Sequence, residues 1–273
     1  MFTYCLNTST IQGQKLSLVE EIDLIADTGF GAFEPWIGEI EKYRDAGGSL
    51  ADLKKRIADK GLKVAGAIGF AQWIVDDDAA RAKGLEHARR DMALVAAIGG
   101  DMIAAPPMGY QDKTGLNLDA AAERFHALTK VGRDAGVLPQ LELWGFSKTM
   151  HKLGEVLYVA AESRCGDVNL LLDVYHLYRG GSGYDTLPLL NGKAIRTFHV
   201  NDFPLLPREQ LTDADRVYPG DGAAPVKQVL KTLQDIGSNA FLSVELFNKA
   251  YWQQDAKTVC MTALEKLKAV TPR

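Results

Sequence analysis

Eight times along this chain, a short apolar run gives way to a segment with helical periodicity. The apolar runs lie at 2–9, 31–35, 63–70, 101–106, 137–144, 169–175, 195–201 and 241–247. The helical segments lie at 17–28, 49–60, 79–98, 118–135, 148–162, 184–190, 224–236 and 256–269. In the first helix Leu18, Ile22 and Ile25 share one face, the spacing of a stripe that packs on a core. Ser17 with Glu20 three residues later has the form of a capping box, and Gly29 suits a left-handed helix end. Glycines close most of the other helices: Gly61, Gly99, Gly136, Gly166, Gly192 and Gly237.

A helix between two strands carries the chain back across the sheet, so such strands must be parallel. Eight units in 273 residues match a closed (β/α)8 barrel, a TIM barrel, as one domain over residues 1–273. A doubly wound sheet is the rival, but no GxGxxG run follows the first strand. No Pro/Ser-rich linker divides the chain, and its longest irregular stretch is 203–223. Loops of that length in compact domains are often functional.

Thirty-one basic against 35 acidic residues leave a net charge of −4. That argues against nucleic acid as the main partner, because binding it needs a basic footprint. Cys5, Cys165 and Cys260 are odd in number and far apart, which reads as free thiols in a reducing compartment. The sequence shows neither a signal-peptide pattern nor an apolar run long enough for a membrane span. The expectation is a cytoplasmic protein.

In a barrel of this kind chemistry collects where strands end. Four runs carry an ionisable residue among apolar neighbours: Glu142, Asp173, His199 and Glu245, on strands five to eight. A buried carboxylate is costly unless paired or bound to a cation. Three carboxylates and an imidazole from adjacent strands can share one divalent cation. Oxygen-rich ligation favours Mn²⁺, Mg²⁺ or Co²⁺, with Zn²⁺ less favoured. Each residue alone reads as a structural ion pair or a core histidine; the four together at successive strand ends point to a metal site.

At these residues the sequence resembles the xylose-isomerase-like barrel superfamily, which includes D-tagatose and D-psicose 3-epimerases, hydroxypyruvate isomerases, inosose dehydratases and endonuclease-IV-type enzymes. The resemblance runs over nearly the whole chain. It is carried by the Gly-Phe-Gly-Ala-Phe-Glu run at 29–34, the Glu142 strand, Asp-Val-Tyr-His at 173–176, His-Val-Asn-Asp at 199–202, Arg-Val-Tyr-Pro-Gly-Asp-Gly at 216–222, and Ser-Val-Glu at 243–245. It implies a metal held by Glu142, Asp173, His199 and Glu245, with Glu142 and Glu245 also the acid and base. It implies that His176 and Arg216 contact oxygens of a small sugar or polyol, and that the chain forms a homodimer or homotetramer. The implied reaction moves a proton through an enediolate, giving isomerisation or epimerisation. A dehydratase acting on an inosose- or dehydroshikimate-like substrate is the alternative, and a barrel that binds sugar or metal without turnover is the third reading. The short segment after Glu142 is Trp-Gly-Phe-Ser-Lys, without the asparagine that many of these epimerases carry there. The histidine-rich trinuclear zinc site of the endonuclease type is excluded by having only five histidines.

Further candidates stand beside these. Glu34 reads equally as a substrate contact and as an ion pair behind the site. Asp202 reads as an orienting group for His176 or Arg216, or as a ligand. Trp36, Phe70, Trp73, Tyr110, Trp144, Phe203, Phe247 and Trp252 fall in or beside strand-to-helix loops, where rings would wall a sugar-sized pocket; Trp144 is taken as a substrate contact.

Overall fold

A computed structural model describes residues 1–272. Eight strands form one parallel sheet, in the order β3-β2-β1-β8-β7-β6-β5-β4. They are β1 (Thr3–Asn7), β2 (Ala32–Glu34), β3 (Lys63–Val64), β4 (Met102–Ala105), β5 (Leu138–Glu142), β6 (Asn169–Asp173), β7 (Ile195–Val200) and β8 (Phe241–Val244). Ala67, just beyond β3, donates to Met102 C=O at 3.2 Å and accepts from Ala104 N–H at 2.9 Å. Those two bonds join the sheet's ends, and the fold is the TIM barrel that the eightfold alternation implies.

The helices are α1 (Leu18–Thr28), α2 (Ile37–Asp45), α3 (Leu50–Asp59), α4 (Asp78–Ala97), α5 (Leu118–Ala135), α6 (Leu153–Glu162), α7 (Val174–Gly180), α8 (Val226–Asp235) and α9 (Ala256–Val270). The capping box of α1 forms between Ser17 and Glu20, and Gly29 closes the helix at φ 95°. Leu18, Ile22 and Ile25 are buried in a large apolar core between the helices and the sheet. Burying one such side chain stabilises by about 1.5–3 kcal/mol.

The structure differs from the sequence reading at several places. The expected strand 63–70 is only Lys63–Val64, and the first strand gives way to a 3-10 helix at Thr8–Gln14. A second helix, α2, follows β2; its first turn is held by Glu39, whose carboxylate accepts the Trp36 N–H at 2.9 Å. The segment 184–190 is only a short 3-10 turn at Leu187–Leu189; Pro188 has no N–H to donate to Tyr184 C=O, as a helix begun at Tyr184 would require. α6 starts at Leu153, because 144–152 is an irregular loop with Met150 at φ 52°. The residues after Asp173 turn at once into α7, and Asp173 itself caps that helix by accepting the His176 N–H at 3.0 Å. Gly166 and Gly192 do not take the left-handed conformation that the other closing glycines do. All three cysteines are buried and free. No helix among the described residues is long and apolar enough to cross a membrane.

Candidate active site

Strand register gathers the ionisable strand ends. Asp173 on β6 pairs with His199 on β7, and His199 pairs with Ser243 on β8, two residues before Glu245. Neighbours in parallel register project to the same side of a sheet, so Asp173 and His199 stand together. Asp173, His199 and Glu245 offer ligand atoms that all lie within 4.8 Å of one another, and all three residues are buried. His199 Nδ1 is 3.1 Å from Glu245 Oε2 and 3.6 Å from Asp173 Oδ2. Its geometry meets no hydrogen-bond partner there. Glu142 is not in this triplet of the predicted four, although it lines the same cavity as Glu245.

The long loop after β7 delivers Arg216 into the centre. Arg216 is 1% exposed. Its Nη1 donates to Asp173 Oδ2 at 3.0 Å and to Glu245 Oε2 at 2.7 Å. Its Nη2 donates to Asp213 Oδ1 at 2.6 Å and lies 3.1 Å from His176 Nε2. The guanidinium packs over Tyr175 at 4.4 Å and Phe247 at 5.1 Å, a cation–π arrangement. Asp202 has a different role from the one its sequence position suggested. It accepts backbone N–H groups of Phe203, Gly220 and Ala224 at 2.8, 3.1 and 2.8 Å. It thus staples the two ends of the loop and makes no hydrogen bond to His176 or Arg216.

Beneath the triplet lies a polar layer. Glu34 is fully buried and is not among the residues lining the cavity. Its Oε2 accepts from Asn7 Nδ2, Ser243 Oγ and His199 Nε2, each at 2.9 Å. Asn7 also donates to Glu245 Oε1 at 3.3 Å and accepts from Trp36 Nε1 at 3.0 Å. Asn201 Nδ2 donates to both oxygens of Asp173 at 3.2 and 3.1 Å. Asn7, Asn201, Ser243 and Asp213 were not among the residues singled out as site candidates. Being uncharged or in an ordinary acidic run, they give no signal by residue type; only the place of Asn7, Asn201 and Ser243 at or next to a strand end could have marked those three, and nothing marks Asp213.

Above the triplet is a cavity of about 210 Å³. Trp36, Phe70, Trp144, Phe146 and Phe247 form its walls, with Ile68. Glu142, Glu245, His176, Arg216 and Asp213 supply the polar edge. Of the other expected wall aromatics, Trp73 and Tyr110 are in the helix-side core, Phe203 stacks on Tyr178, and Trp252 donates to Ser9 C=O at 2.9 Å.

The site pushes its carboxyl groups apart. Burial drives Glu142 up to about 8, with the Glu245 charge adding to it and His199 opposing. Burial would also raise Glu245, but His199 and Arg216 outweigh it and hold that carboxylate below the usual range. Asp173 is held down by Arg216, His176 and His199 in the same way. His176 falls to about 4 because burial disfavours its charged form. One protonated and one ionised carboxyl facing a single cavity is the pattern of an acid and base pair.

A barrel with a buried carboxylate–histidine cluster at its strand ends defines a class of protein, and comparison with known sequences places the chain within it. The chain belongs to the xylose isomerase-like TIM barrel family, whose model matches residues 22–269. It is 34% identical over 156 residues to an inosose isomerase of Bacillus velezensis, covering 56% of this chain and 55% of that protein. It is 30% identical over 185 residues to an inosose isomerase of Bacillus licheniformis, covering 66% of each. The match thus spans between about half and two thirds of these relatives' length. Among solved structures, the IOLI protein with a binding zinc atom superposes with a TM-score of 0.91 at 23% identity, covering 98% of both chains. At that identity the likeness speaks to the fold.

Proposed function

We propose that this protein is a divalent-metal-dependent isomerase or epimerase of a small sugar or ring polyol ketone. The observation that carries the reading is the placement of two buried carboxyl groups, Glu142 and Glu245, on one cavity, with burial raising the first and His199 and Arg216 holding the second down. Glu245, ionised and steadied by Arg216 Nη1, is the base that takes the proton from the carbon next to a carbonyl. Glu142, protonated by burial, is the acid that returns a proton from its own side. Return to the same carbon from the other face gives epimerisation, and return to the neighbouring carbon gives isomerisation. Arg216 and neutral His176 would hold substrate oxygens, and the aromatic walls would take the apolar faces of the ring. The name of the sequence relatives puts inososes first among the substrates to try.

The residues present fit a divalent cation. His199 Nδ1 is a buried nitrogen without a hydrogen-bond partner, aimed at two carboxylates, and the mixed nitrogen and oxygen donor set suits Mn²⁺, Co²⁺ or Zn²⁺. Asp173, His199 and Glu245 would hold it; Glu142, the expected fourth ligand, stands outside that triplet, and its burial suits it to the acid role. When bound, such an ion supplies Lewis-acid polarisation of a carbonyl and its neighbouring hydroxyl, which acidifies the carbon-bound proton.

The test is solvent-deuterium incorporation into inososes and keto-sugars in D₂O, with metal supplied. Wild type should label the carbon next to the carbonyl, and Glu142→Gln and Glu245→Gln should each fold and lose that exchange. Full exchange in either variant would sink the acid and base roles. A new enone absorbance without exchange would move the reading to dehydration.

A further inference from the structure

We infer that Glu34 is a positioning residue: from beneath the cavity it holds the Nε2–H of His199 and so turns Nδ1 toward Asp173 and Glu245. The inference rests on the proposed function only in what Nδ1 then binds. The orientation itself follows from the hydrogen bonds.

Glu34 Oε2 lies 2.9 Å from His199 Nε2, and both side chains are 0% exposed. That oxygen already accepts from Asn7 Nδ2 and Ser243 Oγ, so it acts as an acceptor and the ring proton facing it sits on Nε2. The other ring nitrogen then points at Asp173 Oδ2 and Glu245 Oε2. Glu34 is itself clamped. Ser243, the register partner of His199 on β8, donates to the same oxygen, as does Asn7. Asn7 reaches on to Glu245, so one asparagine sets the distance between Glu34 below and Glu245 above. A Cβ on Gly66 would stand 3.0 Å from Gln140 Nε2 and 3.5 Å from Glu34 Oε1, so that glycine leaves the two side chains their room. A carboxylate behind a histidine in this way fixes which nitrogen is free and raises its basicity toward a metal.

The experiment is a ¹H–¹⁵N histidine spectrum of the labelled full chain, recorded without metal and with Zn²⁺, alongside Zn²⁺ affinity by competition. The chain has five histidines, and the His199→Gln spectrum assigns the signal. In wild type, His199 should show a downfield, slowly exchanging Nε2–H in both conditions. Glu34→Leu should lose that signal and bind Zn²⁺ about 10–100-fold more weakly, the usual effect of losing such a partner. Glu34→Gln keeps an acceptor oxygen, so it should keep the signal, shifted upfield, and most of the affinity. A wild-type spectrum without a protected Nε2–H on His199 overturns the inference, and so does an unshifted signal in Glu34→Gln. Both readings stand even if the leucine variant does not fold. If wild type binds no Zn²⁺, the metal reading fails, while the metal-free spectrum still decides the role of Glu34.

Discussion

Arg216 and Glu245 share a hydrogen bond of 2.7 Å between side chains that are 1% and 6% exposed. The arginine comes from an irregular loop, not from a strand, and the loop is pinned at its base by Asp202. The same Nη1 also meets Asp173. A single guanidinium therefore supplies countercharge to two of the three residues that would hold a cation. It lowers the cost of burying those carboxylates and, being positive, opposes a second positive charge beside them.

Replacing Arg216 by methionine separates those two effects. Without metal, Arg216→Met should lose about 3–5 kcal/mol of stability, because buried carboxylates lose their partner. Its affinity for Zn²⁺ or Mn²⁺ should rise about tenfold or more, since like charges about 4 Å apart repel by up to about 4 kcal/mol at an effective dielectric of 20. Deuterium exchange should still fall. Chemical denaturation and metal competition on the same sample check this; weaker metal binding in the variant would mean that Arg216 supports the cation site instead of competing with it.

The protonation of Glu142 sets an upper pH limit. Burial raises its carboxyl to about 8, so the acid form is present below that value and is lost as pH rises through it. Exchange should therefore decline above about pH 8 with a slope of one proton. Glu142→Gln should be slow at every pH and show no such decline. A wild-type profile flat to pH 9.5 would remove Glu142 from the acid role.

The barrel and three of its clustered side chains are legible in the sequence because a charged residue inside an apolar run has few explanations. Asp173, His199 and Glu245 each break such a run. What the sequence hides follows from the limits of that signal. The residues after Asp173 are Val, Tyr, His, Leu and Tyr, which suit a strand as well as a short helix over so few positions. Only the cap from Asp173 to the His176 N–H decides for the helix. Arg216 stands between Asp213, Asp215 and a turn, the context of a surface ion pair, and its burial depends on where a loop folds back. Asn7 and Ser243 carry no charge, so their contact with Glu34 is visible only once β1, β2 and β8 are side by side.

His176 is placed by backbone contact, and this can be tested at a glycine. Gly145 N–H donates to His176 Nδ1 at 3.2 Å, and a Cβ there would stand 2.3 Å from His176 C=O and 2.8 Å from the Gly180 nitrogen. Gly145→Ala should push the loop away from α7, at a cost of about 1–3 kcal/mol. The displaced histidine should lower kcat/KM about 10–100-fold, since shifts near 1 Å carry costs of that order. Gly154→Ala, in α6 with nothing within 4 Å of the new Cβ, should leave activity alone and add about 0.5–1 kcal/mol. Equal behaviour of the two variants in kcat/KM would show that the close approach at Gly145 does not position His176.

Asp91 offers a test of buried charge away from the site. It is 1% exposed on α4, and neither of its oxygens has a hydrogen-bond partner. His87 Nε2 lies 3.4 Å from Oδ1. Burial pushes the carboxyl up to about 6, with the His87 charge partly opposing. The folded state thus holds the proton more tightly than the unfolded chain, whose aspartate titrates near 3.9. Stability from this group is full below about pH 4, falls as pH rises toward 6, and above that the whole cost remains, at most about 3 kcal/mol. Asp91→Asn keeps the shape and removes the charge. It should match wild type near pH 4 and be the more stable protein at pH 8, with Tm higher by about 2–4 °C for each kcal/mol gained. Thermal unfolding at the two pH values checks the sign, and an asparagine variant less stable than wild type at pH 8 would show that the ionised Asp91 is held by its surroundings instead of merely tolerated.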